Sequence, residues 1–331
     1  MRNQQVNFWE NKKVLVAGGA GFVGSHVVEL LVEKGARTVV IDNLENGTLE
    51  NLTHVRDEVE YIKGDLHNCD VCKNASRGMD VVLNVAAKVG GIDFNQKHPG
   101  TMFRDNVLIN TNMLEAARLN DVERFLVVSS ACVYPQYCKI PTPETEGFEG
   151  LPEPTNDGYG WSKRMAEFQA GAYAREFGMK IAIARPYNTY GPRDHYEPEK
   201  SHVIPALIKR IFDGENPLTV WGDGEQSRAF LYVTDFARGL LEITEKYAEA
   251  DPLNLGTDEE IKIKDLVSLI INLSGINIEV NFDSAKPSGQ PRRNCDNTKA
   301  MAKTGFRAKV KLEEGLKNTI EWYVANQKNR R

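Results

Sequence analysis

The sequence has no excess of positive charge, no long apolar run and no apolar segment near its start. Its 331 residues include 41 Lys and Arg against 46 Asp and Glu, a formal charge of −5, so the electrostatic footprint of a nucleic-acid-binding protein is missing. No apolar stretch approaches the ~20 residues needed to cross a bilayer. The opening MRNQQVNFWENKK lacks the apolar centre of a secretory signal. We therefore expect a cytoplasmic protein that binds neither nucleic acid nor a membrane.

Cysteine is also scarce. The five cysteines are an odd number and are scattered, which is typical of free thiols in a reducing compartment. Cys69 and Cys72 form a lone C-x-x-C without a second pair or a nearby pair of histidines, so we predict no metal site.

Short β-branched runs alternate with helical segments through the first half of the chain. The predicted strands are KVLVAG, RTVVID, VEYIKGD, VVLNVAA, RFLVVSS and KIAIARP, and FVGSHVVELLVEKG and RDNVLINTNMLEAARLN are amphipathic segments between them. The strands are continuously apolar, which is typical of strands buried on both faces. This alternation predicts an α/β fold with a Rossmann-like, doubly wound parallel sheet.

The alternation breaks after about Arg185. Loops rich in Pro, Gly and charge, such as GPRDHYEPEKSH and AKPSGQPRRN, then separate shorter elements. We predict a dinucleotide-binding domain over residues 1–185, with elements near 231–256 returning to it. A smaller α/β substrate lobe over residues 186–331 would cover the carboxyl edge of the sheet.

The stretch VLVAGGAGFVGSHVVELL places Gly18, Gly21 and Gly24 between the first strand and the helix that follows. Glycines let the backbone turn tightly and approach a pyrophosphate, which is then held at the helix N-terminus. Asp42 ends the next strand, where its carboxylate can accept hydrogen bonds from the adenosine ribose and would repel a 2′-phosphate. The DNLENG segment has no Arg or Lys to offset that repulsion. The pattern predicts NAD rather than NADP.

The segment GDLHN follows the third predicted strand. Asp65 and Leu66 lie there at the carboxyl edge of the sheet, where the adenine of a dinucleotide could rest. Asp65 could also be the N-cap of the next helix. The two interpretations are compatible, and both stay open at this point.

A second motif lies in YGWSKRMAEFQAGAYAREFG. Tyr159 and Lys163 are four residues apart, so both side chains lie on one face of a helix. A phenol with a pKa of ~10 is a poor base at neutral pH, but an adjacent ammonium and a cationic nicotinamide ring would lower that pKa. Ser130, at the end of the fifth strand, can hydrogen-bond the same substrate oxygen. The three residues predict proton transfer coupled to hydride transfer.

From the glycine turn through Ser130, Tyr159 and Lys163 to RAFLYVTD, nearly the whole chain resembles the extended short-chain dehydrogenase/reductases, the NAD-dependent epimerase/dehydratase family. The resemblance implies a lobe that holds NAD(P) and a C-terminal lobe that holds a nucleotide-diphosphate sugar. It also implies a homodimer formed through two long helices, here around residues 99–120 and 158–177. Further cofactor contacts are expected at Phe22, Val23, Asn43, Ala86, Ala87, Lys88 and Pro186.

Within that family, the residue at position 132 separates chemistries. Hexose 4-epimerases usually have Thr there and 4,6-dehydratases a Thr-Asp-Glu run, whereas this chain has SSACVYP. It resembles instead the GDP-L-fucose synthases and GDP-mannose 3,5-epimerases, in which this cysteine is an acid/base. AAKVGGI and SHVIPALIKR resemble the first group, where the histidine matching His202 is the second acid/base. The second group uses a lysine, for which Lys200 is the candidate.

The chemistry of a 4-keto sugar supports that implication. The ketone acidifies the protons on C3 and C5, and inverting either centre needs one group to remove a proton and another to return it from the opposite face. A thiol (pKa ~8.5) and an imidazole (~6.5) both titrate within reach of neutrality. Cys132 and His202 are the predicted pair, while Tyr159 and Ser130 would stabilise the enediolate oxygen. We expect His195, Cys138 and Cys295 to lie outside the chemistry.

A nucleotide diphosphate needs cations. Arg228 in GEQSRAFLYVTD and Arg210 resemble the family's diphosphate-binding arginines, and Lys286 resembles a lysine near the nucleotide end. Asn188 in RPYNTYGP and Val203 complete the predicted substrate contacts. The resemblance, and no single residue, implies guanine as the base.

The leading prediction is an enzyme that inverts C3 and C5 of a GDP-linked 4-keto hexose and then reduces the ketone, as GDP-L-fucose synthases do. Those enzymes generally use NADPH, whereas Asp42 favours NAD. A redox-neutral GDP-mannose 3,5-epimerase with tightly held NAD therefore stays open, as does a UDP-hexose 4-epimerase. A non-catalytic NAD-sensing module is disfavoured because Tyr159 and Lys163 are both present.

Overall fold

The structure is a computed structural model that describes residues 7–198, 201–286 and 290–328. Its strands, in chain order, are β1 Lys13–Ala17, β2 Arg37–Asp42, β3 Val59–Lys63, β4 Val81–Asn84, β5 Arg124–Val128, β6 Lys180–Pro186, β7 Thr189–Tyr190, β8 Leu218–Trp221, β9 Ser227–Ala229, β10 Leu231–Tyr232, β11 Leu253–Leu255, β12 Glu260–Lys262, β13 Val280–Asp283 and β14 Arg292–Arg293. Its helices are α1 Phe22–Glu33, α2 Cys69–Ala75, α3 Ile92–Lys97, α4 Pro99–Leu119, α5 Asp157–Phe177, α6 Val203–Phe212, α7 Val233–Lys246, α8 Ile263–Ser274, α9 Thr298–Thr304 and α10 Leu312–Lys328.

Seven parallel strands form the central sheet in the order β11-β6-β5-β4-β1-β2-β3. The six strands predicted from apolar runs are β1 to β6, and the predicted doubly wound parallel sheet is confirmed. The strand order changes direction between β1 and β4. The carboxyl ends of these two strands therefore border the crevice where ligands bind in sheets of this kind.

Helices cover both faces of this sheet. α1 and α7 pack on one face, and α2, α4 and α5 pack on the other. Val16 and Val40 face the first layer, whereas Leu15 and Ile41 face the second, and all four are fully buried. Burial on both faces is why the strands show no alternation of apolar and polar residues.

A second, smaller core lies in the C-terminal half of the chain. α6, α8 and α10 pack there with three small sheets, β7–β10, β8–β13 and β9–β12–β14. The chain passes between the two cores more than once, because β11 pairs with β6 in the large sheet and α7 packs on α1. In the described part of the chain, no helix combines the length and the apolar character needed to cross a membrane.

Candidate active site

The glycine turn between β1 and α1 is shaped by close backbone approaches. Gly18 has a φ of +78°, and a Cβ there would lie 2.7 Å from Cα of Ala86, in the segment after β4. A Cβ on Gly24 would lie 2.0 Å from the Gly18 carbonyl oxygen. Gly21 is the N-cap of α1, and no side chain caps this helix end. The backbone amides of the first turn are therefore available to bind an anion that approaches along the helix axis.

Asp42 ends β2 beside this turn and is only 7 % exposed. Its Oδ2 accepts a hydrogen bond from the Ala20 amide at 3.1 Å, and Oδ1 accepts one from the Leu44 amide at 2.8 Å. Burial raises the pKa of this carboxyl, while the two amides act in the opposite direction. Each oxygen keeps a lone pair for a ribose hydroxyl.

The residues around the turn fit a dinucleotide. Phe22 and Val23 open α1 and are partly buried, and Asn43 follows Asp42 on the surface with its Oδ1 held by the Glu45 amide. The segment after β4 is anchored at Lys88, whose amide donates to Asn106 Oδ1 at 3.0 Å and whose ammonium pairs with Glu45. The predicted contacts Ala86, Ala87 and Pro186 are all partly exposed at the carboxyl ends of their strands.

The possibility that Asp65 caps a helix is wrong. Asn68 is the N-cap of α2, and its side chain accepts hydrogen bonds from the amides of Asp70 and Val71. Asp65 is exposed and holds His67 instead, with Oδ1 2.6 Å from Nδ1 of the imidazole. Leu66 beside it is buried. The adenine contact predicted for Asp65 and Leu66 stays a prediction.

Tyr159 and Lys163 lie on one face of α5, as their spacing requires. The Lys163 ammonium lies 5.3 Å from the centroid of the Tyr159 ring and donates a hydrogen bond to the Val128 carbonyl at 2.8 Å. Lys163 is 2 % exposed, and burial lowers its pKa to about 8. Ser130 follows β5 and forms a hydrogen bond with Tyr159. Its hydroxyl oxygen also accepts a hydrogen bond from the Cys132 amide at 3.1 Å.

The predicted lowering of the tyrosine pKa is not found in the protein alone. Burial raises the pKa of Tyr159, the neighbouring Cys132 raises it further, and the hydrogen bond from Ser130 works against both. The buried Lys163 is itself shifted toward its neutral form, which weakens the electrostatic help expected from it. A phenolate at this site therefore depends on further positive charge, which an oxidised nicotinamide ring supplies when bound.

Cys132 lies in a short 3₁₀ helix, Ala131–Val133, directly after β5. Its side chain is partly exposed, and Sγ lies 3.9 Å from Nη2 of Arg293 on β14. Burial lowers the pKa of Arg293, but Cys132 and Tyr187 raise it, and the net direction is upward. The sequence analysis missed Arg293, because one arginine in a PRR run gives no sign that it faces a cysteine.

His202 is the N-cap of α6, and its side chain keeps 61 % of its surface exposed. Desolvation by the neighbouring protein atoms, followed by the charge of His195, lowers the pKa of His202. Its Nδ1 lies 4.0 Å from Oδ1 of Asp194. The contacts of the described residues link His202 to Asp194, and they do not link it to Cys132. The alternative Lys200 lies outside the described residues.

Two arginines lie side by side where β9 meets β14. Arg228 and Arg293 are register partners on these strands. Burial, followed by the charge of Arg293, lowers the pKa of Arg228 to about 10, while Glu153 acts in the opposite direction. Two partly buried guanidiniums that repel each other form a surface suited to an anion.

The other predicted substrate residues lie in different parts of the C-terminal half of the chain. Arg210 is occupied by the Glu215 carboxylate and the Thr219 carbonyl, Asn188 donates to the Ala229 carbonyl at 3.1 Å, and Val203 is 46 % exposed at the start of α6. Lys286 lies 5.9 Å from the ring centroid of Trp221, which is 60 % exposed. Trp221 was not predicted, although an exposed indole offers a stacking face for a base.

The loop that carries Cys132 is held by a residue from the far part of the chain. Asn254 on β11 is fully buried and accepts a hydrogen bond from the Tyr134 hydroxyl at 2.6 Å. Its side-chain amide donates to the carbonyls of Thr142 and Asp296, at 2.9 and 3.2 Å. Three segments that are distant in sequence therefore meet at one side chain beneath the site.

One crevice is bordered by three features: the glycine turn after β1, the acidic residue at the end of β2, and the tyrosine–lysine pair on α5. This arrangement defines the class of NAD(P)-dependent α/β enzymes that move protons and hydride at a carbon–oxygen group.

The chain belongs to the NAD dependent epimerase/dehydratase family, whose profile matches residues 14–256. It is 33 % identical to GDP-L-fucose synthase 1 of Arabidopsis thaliana, over 97 % of this chain and 96 % of that protein. It is 30 % identical to GDP-mannose 3,5-epimerase 1 of Oryza sativa subsp. japonica, over 96 % of this chain and 84 % of that protein. The crystal structure of a UDP-glucose 4-epimerase with UDP-glucose, from Thermotoga maritima, superposes with a TM-score of 0.84 at 30 % identity, over 95 % of this chain and 99 % of that one.

Proposed function

We propose that this enzyme epimerises C3 and C5 of a GDP-linked 4-keto hexose and then reduces the ketone at C4. The observation that carries the proposal is the position of Cys132, a partly exposed thiol next to Ser130, Tyr159 and Arg293 at the carboxyl end of the sheet. The GDP-L-fucose synthases and GDP-mannose 3,5-epimerases among its relatives support the choice of a GDP-linked sugar.

Each group has a role that its environment supports. Cys132 and His202 are the proton donor and acceptor at the sugar carbons, acting on opposite faces of the ring. Tyr159 and Ser130 hold the oxygen on C4, where negative charge develops as the enediolate forms. The Arg228–Arg293 pair binds the diphosphate, and Trp221 with Lys286 provides a stacking face and a cation for the base.

The cofactor we propose is NAD. The Asp42 carboxylate is buried at the end of β2, and the residues that follow it, Asn43, Leu44 and Glu45, carry no positive charge. A 2′-phosphate would be repelled by this carboxylate, and the nearby Lys88 ammonium is already paired with Glu45. Mass spectrometry of the dinucleotide released from the purified protein tests this, and a predominance of NADP would contradict it.

The proposal is tested by exchange of carbon-bound protons with solvent. In D₂O the wild-type enzyme should incorporate deuterium at C3 and C5 of a GDP-linked 4-keto-6-deoxyhexose. Cys132→Ser should lower this exchange by about 100- to 10,000-fold, the usual contribution of a general acid or base. The matched control is Cys138→Ser, which alters another partly exposed thiol of the same loop that contacts Thr142 instead. Full exchange in Cys132→Ser would overturn the proposal.

The Asp42 environment also favours a second candidate, a redox-neutral GDP-mannose 3,5-epimerase in which hydride leaves C4 and later returns. The balance of dinucleotide separates the two candidates. Net consumption of one reduced dinucleotide per product formed supports the reductase, whereas conversion of GDP-mannose without net consumption supports the redox-neutral enzyme. A UDP-hexose 4-epimerase, the activity named for the Thermotoga maritima neighbour, would keep its turnover in Cys132→Ser.

We further propose that the enzyme is a cytoplasmic homodimer. α4 and α5 pack against each other, and together they expose large apolar side chains, including Phe103, Leu108, Trp161, Met165 and Phe168. A second copy of the chain is the proposed cover for this surface. All five cysteines are free thiols, which suits a reducing compartment.

A further inference from the structure

Asp194 is a buried carboxylate that the proposed chemistry does not use. It lies in the loop between β7 and α6 and is 6 % exposed. Its Oδ1 accepts a hydrogen bond from the His195 amide at 2.7 Å, while its Oδ2 has no hydrogen-bond partner among the described residues. A buried carboxylate oxygen without a partner is costly, and burial raises the pKa of Asp194 to about 7.

The imidazole of His202 is a nearby side chain that can relieve this cost. Its Nδ1 lies 4.0 Å from Asp194 Oδ1, an ion-pair distance that is too long for a hydrogen bond. Asp194 is buried and His202 is 61 % exposed, so the carboxylate lies on the protein side of the ring, and the ring is open to solvent on its other side. Rotation of the histidine side chain would bring Nδ1–H onto a carboxylate oxygen.

The loop itself is well anchored. Tyr196, two residues after Asp194, stacks against Trp322 and Tyr323 of α10, with ring centroids 6.1 and 4.5 Å away. Its hydroxyl is buried, and burial followed by the charge of Asp194 raises its pKa. The aromatic stack fixes the backbone that carries the carboxylate, so Asp194 holds a defined position beside the exposed imidazole.

We infer that Asp194 is a positioning residue for His202: it accepts the Nδ1–H of the imidazole, fixes the tautomer, and leaves Nε2 as the atom that exchanges a proton with the sugar. This inference rests on the proposed acid/base role of His202. The proton taken from carbon forms an N–H bond at Nε2, and the carboxylate stabilises the resulting imidazolium without accepting that proton. Asp194 would give no comparable orientation to a lysine at this position, because an ammonium has no tautomers.

A double-mutant cycle tests the inference. We expect Asp194→Asn to slow deuterium incorporation into the GDP-linked 4-keto-6-deoxyhexose by about 10- to 100-fold, the range seen when the outer partner of a metal-bound histidine is removed. The KM for this sugar should stay unchanged. In a His202→Asn background, the same Asp194→Asn change should cost nothing further, because its effect passes through the imidazole. The control is Glu197→Gln, which removes an exposed charge from the same loop.

A purely structural role of Asp194 would give equal losses in both backgrounds, and that result would overturn the inference.

A direct measurement is available that does not depend on turnover. Nitrogen-15 NMR of labelled histidine should show His202 as the Nδ1–H tautomer in the wild type and a shift toward Nε2–H in Asp194→Asn. An unchanged tautomer would overturn the inference even if the proposed function holds. Wild-type exchange in His202→Asn would instead overturn the acid/base role of His202, and the tautomer measurement would still decide the part played by Asp194.

Discussion

At the scale of single residues, the contact between Cys132 and Arg293 joins positions that are 161 residues apart in the chain. The guanidinium lies 3.9 Å from the sulfur, and Cys132 is one of the groups that raise the pKa of Arg293. It also lies next to Arg228, which it repels. One side chain therefore affects both the predicted acid/base and the predicted diphosphate site.

Replacing Arg293 tests this dual position. Arg293→Gln should lower turnover by about 10- to 100-fold, since a hydrogen bond to a charged group contributes roughly 1.5–3 kcal/mol. It should also raise the KM for the sugar nucleotide. Steady-state kinetics measures both effects. The neighbouring Arg292 is the matched control, because it is exposed and pairs with Glu260. Equal losses in Arg292→Gln would show that total charge, and not the contact with Cys132, is responsible.

Two buried side chains, His26 and Asp194, have pKa values that are shifted in opposite directions. Burial, followed by Arg193, lowers the pKa of His26 from 6.5 to about 4, and burial raises the pKa of Asp194 from 3.8 to about 7. Between pH 4 and 6.5 His26 is protonated in the unfolded chain but neutral in the folded protein. Protonation therefore favours the unfolded chain, and the free energy of unfolding falls as the pH falls. Asp194 holds its proton in the folded state, so its contribution to stability grows as the pH falls from 7 to 4.

Single variants should therefore separate two effects that largely cancel in the wild type. Relative to wild type, His26→Gln should gain roughly 3 kcal/mol of unfolding free energy as the pH falls from 6.5 to 4, and Asp194→Asn should lose a similar amount between pH 7 and 4. Urea denaturation at a series of pH values measures both. Parallel curves for the two variants would contradict the assigned directions.

Some residues of the site could be predicted from the sequence and others could not. Tyr159, Lys163 and the three glycines belong to local motifs, in which spacing alone places the side chains. Arg293 and Asp194 were missed because their roles depend on strand β14 and on the loop before α6 being folded against β5 and α10. Asp65 was assigned a possible cap because it precedes a helix, but Asn68 is closer to the first turn and caps it.

At the scale of elements, a buried ion pair joins β6 to α5. The Arg185 guanidinium donates to both oxygens of Glu167, at 2.8 and 2.7 Å, and both residues are at most 5 % exposed. Ser129 at the end of β5 also hydrogen-bonds Glu167. Glu167 therefore holds the ends of both β5 and β6 against the helix that carries Tyr159.

Breaking this ion pair should strongly lower the free energy of unfolding. Glu167→Gln leaves Arg185 as an uncompensated buried charge, and we expect a loss of roughly 3–5 kcal/mol in unfolding free energy. The matched control is Glu115→Gln on α4, which breaks another bidentate contact, to Arg118, at the surface and should barely change stability. Chemical denaturation measures both, and equal losses would contradict the argument.

The elements of the large sheet could be predicted because each strand is continuously apolar and each helix carries a buried stripe. The small strands of the C-terminal half could not. β7, β10 and β14 have two residues each, too few for any period to appear, and they form only because the loops around them are already in place.

At the scale of the whole molecule, the exposed apolar side chains of α4 and α5 predict the assembly state. Trp161, Met165 and Phe168 recur at helical spacing on one face of α5 and are 39 to 60 % exposed. Phe168→Glu should place a charge in the proposed interface and convert the dimer to a monomer, measured by light scattering after gel filtration. The control is Leu151→Glu, which charges an apolar residue that is 73 % exposed on another surface. A wild-type monomer would contradict the dimer.

The meeting of three chain segments at Asn254 also has a consequence for biosynthesis. The loop with Cys132 leaves the ribosome long before Asn254, and later still come Arg293 and the Asp296 carbonyl that completes the cluster. A nascent polypeptide can therefore fold much of its large parallel sheet before the residues that surround Cys132 are all in place. The contacts around Cys132 are complete only near the end of translation, so we expect a prematurely terminated product to lack the proposed activity.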